Sequence, residues 1–154
     1  MRRALSLFCL LFVAFPAISS PPAEARPTFE RAVFLRINQA RKAHRLAPLR
    51  PAPRLRAVAV RHAGFLARLG LLQHSSADGS SFDLRIRRHL PAHVVGETVA
   101  RGPSPLWVVR AWLRSPQHRA LLLDPAFGIV GVGARPGAVG TVAVMYVTAD
   151  FARL

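Results

Sequence analysis

The order of patterned segments predicts an α+β domain: two amphipathic helical runs come first, then an extended apolar segment and a further helix, and two strand-like runs close the chain. Three observations carry this. Apolar residues recur at three- and four-residue steps in the first half, prolines and glycines punctuate the middle, and Val, Thr and Tyr dominate the last stretch. At 154 residues the chain suits one domain, and a hydrophobic share of 51% excludes general disorder.

The N-terminus reads as a secretory signal. Met1-Arg2-Arg3 is basic, Ala4 to Phe15 is apolar, and Pro16 breaks the run ahead of small residues. Ala23-Glu24-Ala25 offers cleavage after Ala25, with Ser19 as the second choice, which leaves residues 26–154 as a single exported domain. The apolar run is shorter than the ~20 residues that span a bilayer, so no transmembrane span is expected after cleavage. Cys9, the sole cysteine, leaves with the signal. The mature domain then has no disulfide, cysteine nucleophile or thiolate metal site, and any metal must be held by histidine and carboxylate.

Thr28 caps a first helix on which Phe29, Val33, Phe34, Ile37 and Ala40 share a face, with Asn38 and Arg41 on the less apolar side. Leu46 to Pro51 is a proline-broken connection. Pro53 opens a second helix carrying Leu55, Val58, Ala59, His62, Leu66 and Leu69 on one face and closed by Gly70. His62 there reads as a hydrogen-bonded core residue. A polar loop from Gln73 to Ser81 turns at Asp78-Gly79, and His74 stands where the apolar pattern yields to it. Phe82 to Leu90 is a short basic helix with Leu84 and Ile86 partly inward.

In the extended run Ala92 to Ala100 one acid, Glu97, interrupts apolar residues. Burial would raise its pKa unless it is paired, hydrogen-bonded or ligating, and pairing with one of the many arginines is as open as ligation. Ser104-Pro105 starts the next helix, with Val109, Trp112 and Leu113 apolar. Ser115-Pro116 repeats the cap-plus-proline signal and puts His118 in the first turn of a short helix, where the helix dipole disfavours a cationic ring. His118 is thus either a neutral ligand or base, or a plain polar first-turn residue. Ile129 to Ala134 and Val139 to Phe151 read as strands joined by a turn at Arg135 to Ala138, with Gly131 and Gly133 leaving room for another element. No dinucleotide, phosphate-loop, nucleophile-elbow or H-E-x-x-H signature and no internal repeat occurs.

In order, N-x-x-R (Asn38, Arg41), L-x-P-L (Leu46 to Leu49), the helix-two pattern ending His62-Ala63, His74-Ser75, G-E-T-V-A, W-L-R-S-P-Q-H-R and a G-V-G strand ahead of Asp150-Phe151 resemble a bacterial CAP/SCP domain of the cysteine-rich secretory, antigen 5, pathogenesis-related 1 superfamily. The resemblance covers residues 30 to 151. It implies an α-β-α sandwich, an antiparallel sheet flanked by helices, with a cleft built around two histidines and two acids. His74, Glu97 and His118 match three of these, and Ser115 stands where the second acid is expected; Thr98 replaces the asparagine that follows the motif glutamate.

Some members of that superfamily bind a divalent metal such as zinc. Here the implied ligands are His74, His118 and, as third ligand or base, Glu97. The functional expectation is an exported, non-catalytic binding module, periplasmic or extracellular, with a divalent-metal-dependent hydrolase as the alternative. The net charge of +15 gives attraction to envelope lipid or acidic wall polymer. Export and the scatter of arginines along the chain argue against nucleic acid, and a monomer is expected.

Overall fold

A computed structural model describes residues 27–154; the signal-like segment and both cleavage sites lie outside the described residues. Helix α1 (Phe29–Ala43) starts at Thr28, whose Oγ1 accepts from Arg31 N at 3.2 Å. A two-residue strand β1 (Arg50–Pro51) leads into α2 (Pro53–Leu69), which ends at Gly70 in the left-handed conformation at φ 71°. Then come α3 (Phe82–Arg87), β2 (Val94–Gly102), α4 (Pro105–Arg114), α5 (Pro116–Leu122), β3 (Ile129–Val139) and β4 (Val142–Arg153).

The sheet order is β1-β3-β4-β2. β3 and β2 pair antiparallel with β4 between them, as expected, while β1 runs parallel to β3. The short edge strand therefore makes the sheet mixed, a correction to the all-antiparallel expectation on that point. The connection Leu46–Pro51 gave no strand signal because β1 spans only Arg50 and Pro51.

Side-chain alternation divides the core into two layers. Val130, Val132, Ala134, Val147, Ala149 and Phe151 pack with Val33 and Ile37 of α1, Val108 and Trp112 of α4 and Leu122 of α5. The opposite face meets α2 and α3 through Leu55, Val58, Ile86, Ile129 and Ala152, and through Leu66, Val99 and Tyr146. Helices thus cover both faces, as an α-β-α sandwich requires. Gly131 and Gly133 make the second contact close: a Cβ at either would overlap the α2 backbone, at Leu55–Arg56 and at Ala59–Val60.

Several local expectations shift. β3 continues through Arg135–Ala138 to Val139, and the hairpin turns instead at Gly140-Thr141, where Gly140 takes φ 58°. Pro136 is tolerated within β3 because β1 pairs only with Ile129 and Val130, so the edge beyond them needs no donor. Arg41, expected on the less apolar side, is 1% exposed; its guanidinium donates to the carbonyls of Ala47, Leu122 and Asp124 at 2.9 Å each and of Phe127 at 3.4 Å. Those bonds tie α1 to the segment between α5 and β3. In α3, Leu84 faces solvent and Arg85 is buried beside Ile86, and Leu69 at the end of α2 is exposed.

Candidate functional site

β2 carries Glu97 into the interior, where its side chain has no exposed surface. A carboxylate stripped of water needs replacement donors, and two elements supply them. The loop after α2 brings His74, whose Nδ1 lies 2.8 Å from Glu97 Oε1. Helix α3 brings Arg85, whose Nη2 donates to Oε2. Through Nη1 the same guanidinium donates to His74 O at 3.1 Å and Ser76 Oγ at 2.6 Å, so it holds both the acid and the loop that presents His74. Helix α3 is set by Ser81, whose Oγ accepts from Leu84 N at 3.3 Å.

Two further groups surround the carboxylate. His62, 2% exposed, bonds through Nε2 to Gln73 O at 3.0 Å and lies 3.7 Å from Glu97 Oε2. The expectation of a hydrogen-bonded core histidine is met, and its place against Glu97 is additional. Burial above all lowers the His62 pKa, opposed by the Glu97 charge, so the ring is held neutral. Asp150 is the register partner of Glu97 on β4 and is wholly buried.

The bond to Glu97 fixes the tautomer of His74. With Nδ1–H donated inward, Nε2 keeps its lone pair, and the half-exposed side chain can offer it to solvent or a ligand. His118 lies half-buried in the first turn of α5. Its pKa is lowered by burial first and by His74 second. Ser115 ends α4 and precedes Pro116 of α5, but its side chain makes no cap hydrogen bond. Local geometry there rests on the proline rather than on the expected hydroxyl.

The expected three-ligand metal set does not fit this arrangement. Both Glu97 oxygens are engaged, by His74 and Arg85, and among the described residues no three His, Cys, Asp or Glu side chains are placed to hold a metal ion. Glu97 is an anchor beneath His74 rather than a group presented to solvent. Sequence reasoning named His74, Glu97, His118 and Ser115 but missed Arg85 and Asp150. A lone acid in an apolar strand demands a cation, yet nothing in the spacing says which arginine answers.

A sheet with helices on both faces, and a histidine–carboxylate–arginine cluster where β2 meets α2 and α3, define an α-β-α sandwich of the SCP type. The chain belongs to the cysteine-rich secretory protein (CAP) family, whose model matches residues 34–151. Over 56 residues it is 39% identical to the uncharacterized protein YkwD of Bacillus subtilis, covering 36% of this chain and 22% of the relative. An extracellular protein containing an SCP domain from Bacillus anthracis superposes with TM-score 0.69 at 24% identity, over 79% of this chain and 39% of that one. An outer surface protein from Borrelia burgdorferi superposes with TM-score 0.66 at 24% identity, over 79% of this chain and 90% of that one. The chain thus spans well under half of the first two of these relatives, and the structural likenesses speak for the fold.

Proposed function

We propose that this CAP domain is an exported, non-catalytic binding module of the cell envelope, contacting its ligand at the edge where His74 and His118 meet solvent. One observation carries the reading: the acid that a hydrolase would use as base or metal ligand is sealed in, with one oxygen engaged by His74 and the other by Arg85. A carboxylate so held orients a histidine and cannot easily take a substrate proton. Export is supported by the signal-like N-terminus and by relatives described as extracellular or outer surface proteins. A net charge of +15 favours an anionic envelope lipid or wall polymer as partner.

The alternative is a divalent-metal-dependent hydrolase with zinc on His74 and His118, favoured by the open Nε2 of His74. Two imidazoles and water make a weak zinc site. The two readings separate in one experiment: calorimetric zinc titration of the wild type and His118→Ala, alongside sedimentation of both proteins with isolated envelope. Envelope binding that weakens in His118→Ala, without stoichiometric zinc uptake, is the expected result. Stoichiometric zinc uptake by the wild type that His118→Ala abolishes would overturn it.

A further inference from the structure

We propose that a second site, separate from the His74–Glu97 cluster's solvent edge, lies on the outer face of α2 and binds a phosphate group through Arg61, Arg68 and Arg135. Positions 61, 64, 65 and 68 are spaced to share one face of α2. Arg61 and Arg68 stand two turns apart at the ends of that stripe, both exposed, with Gly64 and Phe65 between them. β3 contributes Arg135 alongside. A Cβ built on Gly64 would lie 3.6 Å from Arg68 Nη1 and 3.7 Å from Arg135 Cγ, so the two arginines flank one bare point of the helix surface. Over it opens a cavity of about 430 Å³ that these residues line, together with His62, Ser76 and Arg85 of the Glu97 cluster.

The charge in this cavity is only partly compensated. Among the described residues no carboxylate lines it, and α2 contains no Asp or Glu along its length. Among the described residues neither Arg61 nor Arg68 has an ion-pair partner, and Arg135 has only Glu30 at 3.8 Å. Arg85 is spent on Glu97 and Arg135 is shared with Glu30, so among the described residues the unpaired arginines of the cavity are Arg61 and Arg68. Guanidiniums that line one cavity repel one another unless an anion sits between them.

Their number selects the anion. One planar fork satisfies a carboxylate, whereas three forks from two elements suit a tetrahedral group with several acceptor oxygens. Half-buried Phe65 gives an apolar wall on which whatever carries the phosphate can rest. A soluble phosphate compound and a phospholipid headgroup offer the same chemistry, and the probes tell them apart.

The test uses sodium pyrophosphate by calorimetry and vesicles of phosphatidylglycerol against phosphatidylcholine by flotation. Each is applied to wild type, to Arg61→Gln/Arg68→Gln, and to the charge-matched control Arg110→Gln/Arg153→Gln on exposed positions elsewhere. The cavity pair should lose at least about tenfold in affinity for whichever phosphate probe binds, and the control pair less than about threefold. Binding to pyrophosphate identifies a soluble phosphate, and binding to phosphatidylglycerol vesicles alone identifies a headgroup. If neither probe binds, or both double variants lose affinity equally, the site is wrong. Arginine Nε–H resonances of the wild type give a readout without mutation: the probe should shift those of Arg61, Arg68 and Arg135 more than those of Arg110 and Arg153, and a uniform shift counts against the site.

Discussion

Glu97 and Asp150 face each other as register partners on β2 and β4, both buried, and the Asp150 carboxyl meets the Glu97 carboxylate. Among the described residues no donor reaches either Asp150 oxygen. Two ionised carboxylates at such a site repel each other strongly, and a proton on Asp150 relieves that repulsion. Burial first, and the Glu97 charge second, push the Asp150 pKa well above the carboxylate range.

The sign of the stability effect follows. In the unfolded chain Asp150 ionises near the usual ~3.9, whereas the folded protein keeps the proton, so stability falls as pH rises from that value toward the folded one. Asp150→Asn keeps a donor toward Glu97 and removes the titration. Its melting temperature should exceed that of the wild type at pH 7–8, with the gap closing toward pH 4. A variant less stable than wild type at pH 8 would show that Asp150 is ionised in the fold.

Among the described residues Arg85 is the one arginine or lysine paired with Glu97, and burial holds His62 beside it neutral. Removing one member of a buried pair strands the other, at a cost of about 3–5 kcal/mol. Arg85→Ala should therefore lower unfolding free energy by about that amount in urea denaturation. Adding Glu97→Gln should recover a substantial part, since no buried charge is then left alone. Strict additivity of the two substitutions would mean that the pair is not coupled.

Close packing of α2 on β3 gives a sharper contrast between glycines. Gly131→Ala drives a methyl group into the backbone of α2, which has no rotamer with which to yield, and a loss of at least about 1–3 kcal/mol is expected. At Gly128 an added Cβ meets nothing within 4 Å and the backbone does not require glycine, so Gly128→Ala should stay within about 0.5 kcal/mol of wild type. Thermal melts of the two variants side by side measure the difference.

Much of this packing was legible in the chain. The periodicity of Val33 and Ile37, or of Leu55, Val58, Ala59 and Leu66, is a local signal and located α1 and α2. The glycine pair in β3 correctly announced a close approach. The misplaced residues are long cations whose partners are remote: Arg41 bonds to carbonyls 81 and 83 residues away, and Arg85 to an acid on another element. An arginine stem carries little periodic signal, because it can lie buried or snorkel to water from the same helical position. The His74–Glu97 contact was reached through family resemblance, since spacing of 23 residues fixes no distance.

The histidine pair allows a last prediction. In the unfolded chain an imidazole titrates near ~6.5, and His118 lies below that because its half-buried position disfavours the charged ring, with His74 as the smaller, repulsive cause. A lowered pKa means that protonation favours the unfolded chain, so His118 contributes stability above the unfolded value and loses it as pH falls toward the folded one. NMR titration of the His118 ring should give a midpoint below ~6.5 in the wild type. His74→Gln removes the repulsion but leaves the burial, and the midpoint should then move up without reaching the free-histidine value. No movement in His74→Gln would place the two rings too far apart to act on one ligand, and the proposed binding edge would lose one of its two histidines.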